Sequence, residues 1–241
     1  MPAELSASQP ATQPAIVVTN SYRLGMVLLG YVPLLHVGTV IGLLVLSQLA
    51  GGSSWLAVAA VGVLYLLPPL AVRVIGQSAG STQPISHELG SRGFLAWWYA
   101  TQWQVVFNRL PILEEVLRLV PSLYSAWLRL WGAKIGRLVY WSPGVRVTDR
   151  PYLHIGDRVV FGIDAKLYPH FLAKLSSGST KLILAPITVG SDALVGGCTL
   201  LPAGVVVDAC EQTPGGRPFA PFTEFRNGSH RRTQRFRKEF E

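Results

Sequence analysis

Three successive patterns of apolar and polar positions run along the chain. From residue 24 to residue 72, between Arg23 and Arg73, apolar and small residues follow one another without a charged side chain. Gly51-Gly52-Ser53-Ser54 divides this run into 24–50 and 55–72. A bilayer core takes about 20 apolar residues per helix, so each part can span, the second barely. So long an uncharged segment exceeds what a domain of this size needs to bury, and the pattern predicts a transmembrane helical hairpin over 21–75. The run starts late, has no basic segment before it, and is too long for the apolar part of a cleaved signal. His36 lies within the first span; a neutral ring bonded to a neighbouring carbonyl is the expectation there, beside a functional role.

The second pattern, 84–131, has apolar residues at three- and four-residue spacing, with Arg109, Glu114, Glu115, Arg118 and Arg129 between them. It predicts two or three short amphipathic helices broken at Pro111 and Pro121. Trp97, Trp98, Trp103, Trp127 and Trp131 suit a headgroup interface, where the ring is buried and the indole N–H stays wet. The helices are therefore expected to lie on the membrane face, with packing on the next domain as a compatible second role.

From Ile135 the period becomes six, which fits neither a helix nor simple strand alternation. Apolar residues followed by a small or turn residue fall at Ile135-Gly136, Trp141-Ser142 and Val147-Thr148, then at Ile155-Gly156, Phe161-Gly162 and Leu167-Tyr168. They return at Ile183, Val189-Gly190, Val195-Gly196, Leu201-Pro202 and Val207-Asp208. Three sixes make one triangular coil of a parallel β-helix, with the repeated apolar residue pointing inward and glycine placed where a corner leaves no room for Cβ. The β-helix is expected over 132–215, with a two-residue slip before Ile155 and an excursion at about 168–182. Residues 1–20, rich in Ser, Thr, Pro, Gln and Ala, read as a disordered lead, and 216–241 as a basic tail.

Composition agrees with this division. Of the 241 residues 49% are hydrophobic and 14% charged, against roughly 25% charged in soluble domains. Mean hydropathy is +0.35, which excludes a disordered chain and argues against an ordinary soluble protein. Cys198 and Cys210 are too few for a disulfide scaffold, and neither CxxC nor HExxH is present. The net charge of +8 calls for an anionic partner. Basic residues follow the second span, while the turn between the spans has none. Positive-inside logic therefore expects a multi-pass protein of the inner membrane with both termini cytoplasmic. Arg226, Arg231, Arg232, Arg235, Arg237 and Lys238 suit anionic lipid beside that face. No nucleic-acid-binding pattern is present, so no nucleic-acid partner is expected.

Gly132-Ala133-Lys134-Ile135-Gly136, Leu153-His154-Ile155-Gly156-Asp157-Arg158-Val159-Val160-Phe161-Gly162 and Ile187-Thr188-Val189-Gly190-Ser191-Asp192-Ala193-Leu194-Val195-Gly196-Gly197-Cys198 resemble the hexapeptide-repeat acyltransferases over about 130–220. The resemblance implies an all-β left-handed parallel β-helix, usually a homotrimer, behind the transmembrane hairpin and interfacial helices. It also implies transfer of an acyl group from a thioester, acetyl-CoA as the expected donor, to a hydroxyl or amine. A membrane anchor suits an acceptor that is itself lipid-linked: a sugar, a glycolipid or an isoprenoid.

In such enzymes a histidine in a loop after a repeat position acts as general base, and Tyr168-Pro169-His170-Phe171 places His170 there. Imidazole titrates near neutral pH and can take the proton of an attacking hydroxyl. Relatives carry an acidic residue close by, where this chain has Phe171 and Leu172; Asp149 or Asp164 is the expected substitute. Gly197 and Cys198 fall where relatives expose backbone amides to the pantetheine arm, with the Cys198 thiol expected to be buried packing rather than a nucleophile. Gly216-Arg217-Pro218 resembles the loop closing the last coil, where Arg217 would pair with a coenzyme A phosphate. His154 is expected to be a solvated strand residue. β-Helical carbonic anhydrases need three zinc-binding histidines, and beyond residue 130 only His154, His170 and His230 occur, the last of them in the expected tail outside the β-helix, so no metal is expected. The alternative function is a non-catalytic trimeric scaffold that recruits a partner to the membrane.

Overall fold

The computed structural model describes residues 19–74, 84–174 and 179–233; most of the expected lead and the end of the expected tail lie outside them. Helices α1 (Asn20–Gly30) and α2 (Val32–Leu49) meet at Tyr31 and together form one segment, Asn20–Leu49, long and apolar enough to cross a membrane. Little of it is buried within the chain: Leu34 and Leu35 are each 66% exposed. The second stretch differs from the expected continuous span. It breaks into α3 (Ser54–Tyr65) and α4 (Leu67–Val74), bent by 46°. Pro68 and Pro69 explain the break, since a proline ring clashes with the preceding turn and offers no N–H to it. At about 1.5 Å per residue, α3 alone is shorter than a hydrocarbon core of about 30 Å. Inside the hairpin, His36 Nε2 lies 3.0 Å from the Val63 carbonyl.

The collar opens not on a helix but on β1 (Ile85–Glu88), followed by α5 (Arg92–Arg109), α6 (Ile112–Arg118) and α7 (Leu123–Leu130). The Ser91 side chain caps α5 by accepting from the Phe94 N–H at 3.1 Å, which satisfies one of the free amides of its first turn.

The tryptophans of the collar correct the expectation of wet indoles. Trp97, Trp127 and Trp131 are buried. Trp127 Nε1 donates to the Tyr65 carbonyl at 2.8 Å and Trp98 Nε1 to that of Met26 at 3.3 Å. The reason lies in the coil that follows, whose first turn has no strand beneath it: an apolar stack left open at one end needs a cover. α7 provides it, with Trp127, Leu128 and Trp131 joined to Ile135, Trp141 and Val147 in one core. The aliphatic face of the collar points the other way, with Leu119 80% and Ile112 64% exposed.

The six-residue period becomes a chain that visits three parallel sheets in rotation. Its first turn is β2 (Lys134–Ile135), β3 (Tyr140–Trp141) and β4 (Arg146–Val147). The second is β5 (Leu153–Ile155), β6 (Val160–Phe161) and β7 (Lys166–Tyr168). A hairpin, β8 (His170–Lys174) and β9 (Thr180–Leu184), interrupts the rotation. β10 (Ile187–Val189), β11 (Leu194–Val195) and β12 (Leu200–Pro202) resume it, and β13 (Val206–Val207) opens a fourth turn. The registers stack the predicted inward residues: Ile135 on Ile155 on Val189 on Val207, and Trp141 on Phe161 on Val195. Trp141 and Phe161 lie face to face at 4.5 Å, within 8° of parallel.

Glycine serves close stacking rather than the turn itself. A Cβ on Gly156 would come within 2.5 Å of the Ser191 amide of the next turn. The left-handed residue falls two positions later, at Arg158 with φ +53°.

Two expectations change at the edges of the coil. The excursion at 168–182 is not a loop but the hairpin β8–β9, extended by β1 into an antiparallel sheet in the order β1-β9-β8. The sequence expected to start a tail at 216 also continues the coil. Pro218 bridges to Leu200, β14 (Thr223–Arg226) adds to the sheet of β13, and β15 (Ser229–Arg232) folds back on β14. Phe219 and Phe225 are buried there and continue the apolar stack, Phe222 packs instead on Ile183, Ala185 and Ala203, and Arg226 pairs with Asp208 at 2.9 Å.

Candidate active site

The slip in the six-residue period before Ile155 is where the coil takes on polar function. Past the inward Val147 the chain turns left-handed at Asp149, φ +44°, and enters one turn of 3₁₀-helix over Arg150–Tyr152 before β5. Aspartate tolerates that conformation better than most residues. The turn aims its carboxylate inward, where it is only 4% exposed. Trp97 Nε1, from α5, donates to Oδ1 at 2.8 Å. His170 Nδ1, at the start of β8, bonds to Oδ2. The indole also meets the imidazole edge to face, with centroids 5.1 Å apart.

A small apolar cluster fixes this meeting point. Leu182 and Leu184 of β9 are fully buried against Phe94, Trp97 and Tyr152. His170 is paired in register with Leu184, so packing of β9 onto α5 carries the histidine to Asp149. The Tyr152 hydroxyl beneath is pushed up to about 12, by burial first and then by the Asp149 charge.

For His170, burial alone would favour the neutral ring, but the hydrogen bond to Asp149 and its charge outweigh burial together. The histidine pKa is therefore raised above its ordinary range. With Nδ1–H given to the carboxylate, Nε2 holds the lone pair. The ring is 30% exposed, so this lone pair can meet a substrate proton.

The next residue, Arg150, goes the other way. Its side chain is buried, with Nε donating to Glu114 Oε1 at 2.9 Å, Nη1 to Gln104 at 2.9 Å and Nη2 to Asn108 at 3.0 Å. Glu114 also accepts from Arg118 at 3.1 Å and from the Tyr124 hydroxyl at 2.9 Å. Both oxygens of this carboxylate are held by charged or hydroxyl donors, as a buried charge requires, while Arg118 Nε is left without a partner.

Of the residues expected from sequence, His170 and Asp149 are brought together. Asp164 is not part of the group; it sits at an outer corner, where a Cβ on Gly144 would come within 2.0 Å of its Oδ1. Trp97 is a member that sequence reading placed in a membrane interface instead. His154 is half-buried on β5, where burial and then Lys134 push its pKa down.

The donor-side expectations meet two corrections. Cys198 is exposed, not packed, because it occupies the left-handed corner two residues after Gly196, φ +55°. Its amide does not await a ligand but donates to the Ile163 carbonyl at 2.7 Å. Gly197 lies in the stacking path: a Cβ on Gly162 would reach its nitrogen at 2.4 Å, and its carbonyl accepts from Gly216 at 2.7 Å. Arg217 is exposed, with Nη2 at 3.3 Å from His230 Nε2. Among the described residues no hydrogen bond or ion pair joins Gly197, Cys198 or Arg217 to His170. Among the same residues no group of three His, Cys, Asp or Glu side chains stands close enough to hold a metal ion.

Solved structures similar to this chain are hexapeptide-repeat acetyltransferases. One is a maltose O-acetyltransferase from Clostridium difficile 630, with TM-score 0.37 and 15% identity over 53% of this chain and 85% of that chain. A second is a hexapeptide-repeat acetyltransferase from Vibrio cholerae complexed with acetyl coenzyme A, with TM-score 0.33 and 14% identity over 55% and 87%. A third is a galactoside acetyltransferase in complex with coenzyme A, with TM-score 0.30 and 14% identity over 56% and 85%. No protein-family model and no curated protein matches the chain.

Proposed function

We propose that this chain is a membrane-anchored O-acyltransferase that uses an acyl-CoA, acetyl-CoA as the expected donor, with His170 as general base. The observation that carries the reading is the buried Asp149 carboxylate held by Trp97 and bonded to a half-exposed histidine. A histidine with no role has no need of an oriented, desolvated carboxylate behind it, and such an arrangement fixes one tautomer and stabilises the imidazolium. The scaffold alternative drew its strength from the lack of an acidic neighbour in sequence, and Asp149 removes that ground.

In the proposed reaction the acceptor hydroxyl gives its proton to His170 Nε2 as its oxygen attacks the thioester carbonyl. The C–O bond forms, and negative charge collects on the carbonyl oxygen. That intermediate collapses as the C–S bond breaks, and the imidazolium returns the proton to the departing thiolate. The products are an ester and free coenzyme A. Asp149 holds the ring through both proton transfers.

The coil is proposed to be the left-handed parallel β-helix of the resemblance, working as a homotrimer. Its membrane attachment is proposed on the unburied apolar surface of Asn20–Leu49 and the exposed aliphatic face of α6 and α7. The cytoplasmic side, the multi-pass topology and a lipid-linked acceptor belong to the same proposal. So does donor binding near Gly197, Cys198 and Arg217; a site there would use side chains and Gly197, since the Cys198 amide is engaged.

The test is thiol release from acetyl-CoA by the detergent-purified protein, supplied with lipid-linked sugar acceptors. His170→Ala should lower turnover on the order of 10²-fold or more while leaving acetyl-CoA binding by calorimetry intact. A wild type that does not bind acetyl-CoA at millimolar concentration, or a variant with full activity, would overturn the reading.

A further inference from the structure

Between the collar and the third parallel sheet lies a cavity of about 240 Å³, lined by Asn108, Pro111 and Glu114 on one side and Arg146, Thr148 and Lys166 on the other, with Arg150 and Tyr168 at its floor and rim. Its lining adjoins the candidate site along the chain. Thr148 and Arg150 flank Asp149 in the chain, and Tyr168 precedes His170 by two residues, about 7 Å of extended chain.

The charge around the cavity is unbalanced in one direction. Glu114 and Glu115 are matched by Arg150 and Arg118, which bond to them directly. Arg146 and Lys166 have no such match. They are exposed neighbours on adjacent turns, paired in register, hence about 4.8 Å apart along the ladder. Like charges placed opposite each other in a sheet are unfavourable, and among the described residues neither forms an ion pair.

We infer that this cavity binds a phosphate or pyrophosphate group carried by a substrate, with Arg146 and Lys166 as the two compensating charges. Two unbalanced cations match a ligand of about two negative charges, as a phosphate ester or pyrophosphate carries near neutral pH. Arginine can grip such a group through two parallel N–H bonds, while lysine acts as a point charge. The site stands on its own geometry; only the statement that its ligand is a substrate of acyl transfer rests on the function proposed above. The same phosphate chemistry comes from two sources, the acceptor or coenzyme A.

The experiment is calorimetric titration of the full-length protein in detergent with inorganic pyrophosphate. Wild type should bind, with affinity falling as salt rises. Arg146→Gln combined with Lys166→Gln should weaken binding at least tenfold. Arg146→Lys combined with Lys166→Arg, which keeps both charges, should retain most of it and guards against misfolding of the neutral variant. Absence of binding at about 10 mM pyrophosphate, or equal binding by wild type and the neutral variant, overturns the inference. Repeating the titration with saturating coenzyme A separates the sources: competition assigns the cavity to the donor's phosphates, and simultaneous binding assigns it to the acceptor. If His170→Ala kept full transferase activity while pyrophosphate binding still required Arg146 and Lys166, the catalytic reading would fall and the anion site would stand.

Discussion

Asp149 and Arg150 are consecutive, oppositely charged and both buried, yet they enter different kinds of cluster. Arg150 is enclosed by Glu114, Gln104, Asn108 and three aromatic rings, with its guanidinium carbon 5.4 Å from the Trp127 centroid. Its partners include no histidine, and its own side chain is fully buried. Asp149 has one fixed donor, Trp97, and one partner that titrates, His170, which reaches the surface. A buried ion-pair cluster joins the collar to the coil. One that ends in a partly exposed imidazole can do chemistry.

That contrast can be broken from the Arg150 side first. Arg150→Met leaves the Glu114 carboxylate buried with its main partner gone, and should destabilise the protein by about 3–5 kcal/mol. The drop should appear in the thermal unfolding midpoint in detergent, with little change in pH profile for whatever protein remains folded. A variant as stable as wild type would mean the two clusters are not different in kind.

Asp149→Asn should do the reverse. The fold should survive, while turnover falls by roughly 10²-fold, because an amide can offer its own N–H to Nδ1 and select the wrong tautomer. The acid limb of the pH–rate profile should move as well. In the proposed mechanism the base is the neutral ring, so wild-type activity should rise with pH through a histidine value held above the ordinary range. Removing the carboxylate leaves burial alone, and the limb should shift down. The linkage to stability has a defined sign. A raised folded pKa means that the ion pair stabilises the protein fully below the unfolded histidine value. This contribution is lost as pH rises through the folded one. The wild-type midpoint should therefore fall toward that of Asp149→Asn in that window, and parallel curves across it would count against the ion pair.

Trp97→Phe sharpens the comparison at lower amplitude. It keeps a ring against His170 and removes one hydrogen bond to a charged oxygen, worth roughly 1.5–3 kcal/mol. Turnover should fall several-fold. With less of its charge shared, Asp149 should hold the imidazolium more firmly and move the acid limb up, opposite to Asp149→Asn. A purely packing role for Trp97 would leave the limb in place. Smallest of all is Arg158→Ala. The Arg158–Asp192 pair, 2.6 Å apart, lies on an outer corner in solvent, where such pairs contribute little; neither midpoint nor activity should change measurably.

The coil was legible because its determinants are local and repeated. One inward apolar residue in six, and a small residue after it, are conditions that each turn imposes again on the next, so Ile135, Ile155, Val189 and Val207 announce their own stack. The hairpin β8–β9 was not legible. Phe171, Leu172 and Ile183 carry no strand signal distinct from the surrounding repeat, and their sheet exists only because β1, nearly a hundred residues earlier in sequence than β9, lies alongside. The collar's tryptophans misled for a related reason: a headgroup layer and the open end of an apolar stack ask for the same amphipathic aromatic surface, and periodicity does not distinguish them.

What the amino-acid sequence determined by itself was therefore everything set by short-range pattern: the uncharged N-terminal run, the stacked coil, and His170 as the candidate base beside it. Tertiary structure decided which carboxylate stands behind that histidine, which indole holds the carboxylate, and that the exposed Arg146 and Lys166 stand side by side at the rim of a cavity against the collar. Those outcomes depend on segments far apart in the chain being packed to within hydrogen-bond distance, and such distances follow from the whole folded core, not from any single stretch of it.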